Sequence, residues 1–119
     1  MDFRKVCLVV EDDPIIRLDL VDIAEDAGFA TEEISNADEA LRRLQFGIDP
    51  HVDLLMTDIG LPGSINGEAL AQAARDLHPS IKICIVTGHD PQRVSLPSDV
   101  ALIQKPFSRV ALQQLLRTT

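Results

Sequence analysis

The chain has 119 residues, 45% hydrophobic and 25% charged, a balance that suits one globular domain over 1–119 with a single core. Eleven Lys and Arg against nineteen Asp and Glu leave a formal net charge of -8, which opposes direct binding to nucleic acid or to an anionic membrane surface. Aromatic residues make up only 3%, with no Trp or Tyr, so stacking on bases is excluded as a theme and the core must be aliphatic.

Val6-Cys7-Leu8-Val9-Val10 is an unbroken apolar run, the pattern of a strand covered on both faces as in a parallel sheet. It ends on Glu11-Asp12-Asp13-Pro14, where Pro14 suits the first position of a helix and Asp13 its N-cap. Ile16, Leu20, Ile23, Ala24 and Ala27 then recur at helical spacing, and Gly28 supplies the stop. Phe29 to Ile34 is a polar-interrupted strand better placed at an edge. Ser35 or Asn36 caps a second helix with Ala37, Ala40, Leu41 and Leu44 on one face and Gly47 at its end.

Val52 to Thr57 forms the next strand, and Asp58 closes it before Ile59-Gly60-Leu61-Pro62-Gly63. Asn66-Gly67 opens a third helix with Leu70, Ala73, Ala74 and Leu77 inward, closed by His78-Pro79. Ile81 to Thr87 is a strongly apolar strand. Between Thr87 and Val100, Asp90-Pro91 can cap a helix, but Pro97 arrives too soon for more than a turn or two. Val100 to Ile103 gives the last strand, and after Lys105-Pro106-Phe107, Ser108 caps a final helix with Leu112, Leu115 and Leu116 inward.

Five strands alternating with helices through short connections require parallel strands and right-handed crossovers. The expected fold is α/β, a flavodoxin-like doubly wound sheet in the order 2-1-3-4-5 with a shortened fourth helix. Cys7 and Cys84 lie inside apolar runs and read as buried, reduced thiols. The opening Met1 to Lys5 lacks a signal peptide's apolar region, and no stretch is long enough to span a bilayer, so a cytoplasmic location is expected.

In that strand order the acidic run Glu11-Asp12-Asp13 meets Asp58 at one sheet edge. Crowded carboxylates repel unless a cation lies between them, and Mg²⁺, which takes oxygen ligands and uses only one or two carboxylates, is the economical choice. A solvated acidic surface is the plainer alternative. Thr87 and Lys105 bring a hydroxyl and an ammonium to the same edge. A carboxylate nucleophile, a divalent cation, a fixed positive charge and a hydroxyl donor are what phosphoryl transfer onto an Asp requires.

Val9-Val10-Glu11-Asp12-Asp13, Asp58 with Leu61-Pro62-Gly63 and Gly67, Thr87-Gly88 and Lys105-Pro106-Phe107 resemble, in order, the motifs of the receiver domain of bacterial two-component response regulators. The resemblance covers essentially the whole chain. It implies Asp58 as phosphoacceptor, Asp12 as direct Mg²⁺ ligand, Glu11 acting through water, the Gly60 carbonyl as a further ligand and a cis Lys105-Pro106 bond. Asp13 is either a metal ligand or, from its place before Pro14, the helix cap. The implied partners are a histidine kinase or phosphotransfer protein and a downstream protein, with self-catalysed phosphoryl transfer and hydrolysis rather than enzymatic turnover.

Three features depart from the family. Leu102 stands where many receivers carry an aromatic three residues before the Lys, so the usual rotation of that ring is not available. The segment from Thr87 to Lys105 is short, and the loop from Asp58 to Gly67 is one residue longer than common. Together they resemble single-domain receivers of alphaproteobacteria, acting alone or within a phosphorelay. Without the ring, the switch is expected in movement of residues 88–97. Gly60 leaves room for an attacking water that His89 orients, or else His89 faces solvent. His51 and His78 are read as solvated. The competing functions are an adaptor with a receiver fold that binds without phosphorylation and a Mg²⁺-dependent phosphohydrolase, although the Asp-x-Asp motif of the haloacid dehalogenase type is absent after the first strand.

Overall fold

The computed structural model describes residues 3–46, 50–88 and 96–117. Five parallel strands, β1 (Val6–Val10), β2 (Ala30–Ile34), β3 (Leu54–Thr57), β4 (Lys82–Thr87) and β5 (Ala101–Gln104), form one sheet in the order β2-β1-β3-β4-β5. The described helices are α1 (Pro14–Asp26), α2 (Ala37–Phe46), α3 (Gly67–Leu77) and α4 (Arg109–Arg117). The shortened helix expected between β4 and β5 falls on residues 89–95, outside the described residues.

Each connection follows from local chemistry. Asp13 Oδ1 accepts from the Ile15 and Ile16 amides at 2.9 and 3.3 Å, so it caps α1 just ahead of Pro14. Asn36 Oδ1 caps α2 through Glu39 N at 2.8 Å, and Asn66 Oδ1 caps α3 through Ala69 N at 2.9 Å. Ser108 Oγ accepts from Ala111 N at 3.2 Å at the start of α4. Gly28, with φ +101, ends α1 in a conformation open to glycine.

The sheet buries both faces. Leu8, Val10, Leu55, Ile83 and Ile85 pack with Ala40, Leu44, Leu70 and Ala74 on the side of α2 and α3. Cys7, Val9, Leu54, Met56, Cys84 and Val86 pack with Leu20, Ile23, Leu112 and Leu116 on the side of α1 and α4. Every residue of β1 is buried, which explains its unbroken apolar run. β2 lies at the edge, where Glu32 pairs with Arg43 at 2.7 Å and Glu33 with Arg17 at 3.3 Å. A fully buried Leu or Ile contributes about 1.5–3 kcal/mol, against about 0–1 kcal/mol for an exposed ion pair, so the two apolar layers carry the fold.

Two expectations are corrected. Leu77, expected inward on α3, is 43% exposed at the helix end, and Ala71 takes a buried place instead. His78 is half-buried rather than solvated, with Nε2 2.7 Å from the Leu44 carbonyl and its ring edge-on to His51. Cys7 and Cys84 are buried free thiols, and burial pushes both well above the ordinary thiol range. At the α1–α4 seam Arg109 Nη2 donates to Asp22 Oδ2 and Asp26 Oδ2, both at 2.8 Å. None of the described helices is long and apolar enough to cross a membrane.

Candidate functional site at the carboxyl edge of the sheet

The polar side chains that the described structure buries are Glu11, Thr57, Asp58 and Thr87, and all of them sit at the carboxyl ends of strands. Burying such groups is costly unless they are bonded, so their collection at one edge marks a site. The strand ladder puts them there. Asp58 N donates to Val10 O at 3.2 Å, Glu11 N to Ile34 O at 3.1 Å and Lys105 N to Thr87 O at 2.8 Å, each one residue beyond its strand. The backbone therefore delivers three charged side chains to the edge as a continuation of sheet pairing.

Asp58 is held on both carboxylate oxygens. Oδ1 accepts from Ile59 N at 2.6 Å and more distantly from Gly60 N at 3.4 Å, while Oδ2 accepts from Lys105 Nζ at 2.9 Å. The Thr87 side chain also hydrogen-bonds to it. Burial acts to raise the Asp58 carboxyl, but the Lys105 and Thr87 bonds outweigh it and hold the group below the usual carboxylate range. Asp58 is thus ionised at neutral pH.

Lys105 Nζ also donates to Glu11 Oε1 at 2.6 Å. Burial would lower the ammonium, yet its bonds to Glu11 and Asp58 prevail and raise it. Glu11, unlike Asp58, is raised: burial, helped by neighbouring Asp12, pushes its carboxyl up against the pull of Lys105 and of the Asp13 amide, which donates to Glu11 Oε2 at 3.2 Å. The Lys105–Pro106 peptide is cis, as the resemblance implies.

One oxygen each from Glu11, Asp12 and Asp58 lies within 4.8 Å of the others, with Asp12 exposed and the other two buried. An all-oxygen set with one solvent-facing member suits a hard, partly hydrated cation such as Mg²⁺. Asp13 is spent on the α1 cap, which removes it from this set.

Gly67 lets the site close. A Cβ there would lie 2.6 Å from the Asp58 carbonyl carbon and 2.8 Å from Ile59 Cα, so only glycine allows α3 to begin against the Asp58 backbone. Thr57 Oγ1 also donates to the Asp58 carbonyl at 2.9 Å. Leu102 sits half-buried on β5 opposite Ile85, packed against the layer of α2 and α3. His89 lies outside the described residues.

Sequence reasoning missed Arg17, Asp53 and the Asp38–Ser64 pair. Arg17 Nη1 donates to the Glu11 carbonyl at 2.9 Å and staples the acidic turn. Asp53 Oδ2 accepts from Val6 N at 2.8 Å at the opposite edge. Ser64 N donates to Asp38 Oδ2 at 2.9 Å and Ser64 Oγ to Asp38 Oδ1, joining the loop after β3 to α2. These contacts link residues from different elements and leave no local pattern.

Beside Lys105 a cleft of about 420 Å³ is lined by Ile16, Asp19, Lys105, Pro106 and Phe107. Next to it, Ile15 and Leu18 of α1 are 79% and 66% exposed. A partly apolar surface therefore borders Lys105.

The profile of the response regulator receiver domain family matches residues 7–117. Response regulator receiver protein CpdR of Brucella abortus is 34% identical over 107 residues, covering 87% of this chain and 86% of that protein. Among solved structures, a CheY-like response regulator receiver domain protein from Methanospirillum hungatei superposes with a TM-score of 0.84 at 28% identity, over 97% of this chain and 92% of its own. A response regulator receiver protein from Sinorhizobium medicae gives a TM-score of 0.86 at 25% identity, over 98% and 97% of the two chains.

Proposed function

The chain belongs to the response regulator receiver domain family of two-component signalling, and from that premise we propose that Asp58 accepts a phosphoryl group from a phosphohistidine on a histidine kinase or phosphotransfer protein. The observation that carries this reading is the Asp58 carboxylate itself, ionised and bonded at once to Lys105, Thr87 and the Ile59 amide beside Glu11 and Asp12.

In the transfer, an Asp58 oxygen forms a bond to phosphorus as the phosphorus–nitrogen bond of the donor breaks. The electron pair leaves with the imidazole, which retains a proton. Lys105 balances negative charge on the transferred group, and the Thr87 hydroxyl turns from the carboxylate to a phosphoryl oxygen. Asp12, Asp58 and the Gly60 carbonyl would hold Mg²⁺, with Glu11 acting through water. When bound, the cation supplies further positive charge to the phosphoryl oxygens. Hydrolysis would proceed at the same centre without a separate enzymatic turnover. Gly60 leaves space for a water on the acyl phosphate, and His89 is the candidate to orient it.

The apolar border made by Ile15, Ile16, Leu18 and Phe107 supports docking of a partner against the rim of the site. Output passes through protein contact or onward transfer of the phosphoryl group, as a stand-alone regulator or a relay intermediate, in the cytoplasm. The adaptor reading draws on Leu102, half-buried against the core where the family often has an aromatic, and on the shortened fourth helix expected from the sequence.

One experiment separates the readings. Wild type and Asp58→Asn are incubated with Mg²⁺ and acetyl phosphate or beryllofluoride, and modification is followed by intact mass and NMR. Modification that requires Asp58 is the expected result. No modification of wild type favours the adaptor, and turnover of unrelated phosphate esters favours a hydrolase.

A further inference from the structure

The loop from Asp58 to Gly67 is pinned at three places. Near Asp58, the Ile59 amide bonds to Asp58 Oδ1 while Ile59 and Leu61 are buried at 4% and 9% exposure. At its far end, Gly67 N donates to Ile59 O at 2.9 Å and abuts the Asp58 backbone. Between these, the loop reaches out to α2. Ser64 gives its amide to Asp38 Oδ2 at 2.9 Å and its hydroxyl to Asp38 Oδ1, so one carboxylate takes both donors of one residue.

The approach is built into the backbone on each side. Gly63 has φ +114, and a Cβ there would run into the Asp38 carboxylate. Asp38 stands in the first turn of α2, whose Ala37, Ala40 and Leu44 are buried in the core, so its anchor is rigid. The Ser64 hydroxyl, followed by its amide, holds the Asp38 carboxyl below the ordinary range, which keeps the acceptor charged. A bond this exposed adds little to folding, because water competes for both partners. Its effect falls on where the loop sits.

We propose that Asp38 and Ser64 are positioning residues for the phosphoryl-accepting centre: their latch holds the loop that carries Gly60, whose carbonyl would be a cation ligand, and the Ile59 amide that bonds Asp58. The inference rests on the reading of Asp58 and its cation site given above. Mobility in the middle of a loop passes to its ends, and metal sites depend on the groups that orient their ligands. Neither latch residue touches the cation or the phosphoryl group, so the effect is transmitted through Gly60.

The test is Mg²⁺ binding by titration calorimetry on the unphosphorylated chain, with the Ile59 and Gly60 amides followed by NMR. Ser64→Ala and Asp38→Ala should each weaken Mg²⁺ binding by roughly tenfold, the low end for residues that orient metal ligands, and shift both amides. The double variant should lose no more than Asp38→Ala alone, since Asp38→Ala already removes both bonds while Ser64→Ala leaves the amide bond in place. Ser64→Thr should restore binding. Circular dichroism should show all variants folded, with thermal midpoints close to wild type. If Ser64→Ala and Asp38→Ala bind Mg²⁺ as wild type does, or lose only thermal stability, the latch is overturned while the Asp58 reading stands. If wild type itself binds no Mg²⁺ and resists acetyl phosphate, the reading of the centre falls and takes the latch with it.

Discussion

Lys105 Nζ donates to Asp58 Oδ2 across 2.9 Å, joining the end of β5 to the end of β3 over the intervening β4. The same nitrogen reaches Glu11 just after β1, so one ammonium serves two carboxylates. Replacing it with an uncharged chain of similar length leaves both without their cation. Lys105→Met is expected to destabilise the fold by about 1–3 kcal/mol at pH 7, the cost of stranding shielded polar groups. Equilibrium urea denaturation measures this. Phosphorylation by acetyl phosphate should slow in the same variant, and equal stability with equal labelling would remove Lys105 from both roles.

Glu11 and Asp58 should titrate with opposite consequences. Asp58 is held below its ordinary 3.8, so its contribution to stability is present above that value and is lost as pH falls through the lower folded pKa. Glu11 is raised above 4.5, so the folded state binds the extra proton, and stability declines as pH rises from 4.5 through the higher folded pKa. Stability is measured by urea titration from pH 3 to pH 7. The advantage of wild type over Asp58→Asn should grow with pH across the acid end. Glu11→Gln should gain on wild type as pH rises above about 4.5, the unperturbed glutamate value. Parallel curves for both variants would show that neither group is perturbed.

Gly67 should tolerate no side chain. In Gly67→Ala the new Cβ meets backbone atoms of Asp58 and Ile59, which cannot swing aside as a side-chain tip does. Overpacking of this kind costs about 1–3 kcal/mol. The start of α3 must retreat and carry the Asp58 carbonyl with it. Urea denaturation should show the loss, and labelling of Asp58 by acetyl phosphate should fall further than stability alone accounts for. Full labelling at full stability would mean the backbone yields freely there.

Leu102 should behave as a packing residue. It is half-buried against the α2 and α3 layer, so Leu102→Ala is expected to cost about 1–2 kcal/mol, less than a fully buried leucine, while Asp58 remains modifiable. Readout is then expected to follow Thr87. Beryllofluoride should change amide exchange at Gly88 and from Leu96 to Val100, on either side of residues 89–95. Unchanged exchange at those flanks on fully modified protein would assign the readout to another face.

Strand order, both core faces and the gathering of Glu11, Asp12, Asp58, Thr87 and Lys105 were legible because each rests on a periodic or terminal signal. An unbroken apolar run means burial on both faces, and an abrupt polar residue after it means a strand end. Asp13 was ambiguous between cap and ligand, since both uses suit a carboxylate before proline. Its bonds to Ile15 and Ile16 resolve it as a cap. Leu77 misled because helical spacing continues to the last residue of α3, where the side chain is left exposed. His78 and the Asp38–Ser64 contact escaped for a different reason. Leu44 and His78 are 34 residues apart, and Asp38 and Ser64 are 26, so their partners are chosen by the fold and by no nearby pattern.

The seam at Arg109 divides the molecule by its response to ionic strength. Arg109 and its partners Asp22 and Asp26 are well exposed, so salt at about 1 M, where the screening length falls to about 3 Å, should dissolve their attraction. Leu112 and Leu116 on the same helix are 0% and 1% exposed and feel no such screening. Concentrated salt should therefore free the outer edge of α4 while its inner edge stays docked, seen as faster amide exchange near Arg109 with unchanged protection at Leu116. Because α4 begins four residues after Lys105, the salt content of the medium becomes a dial on the segment that carries the site's only described ammonium.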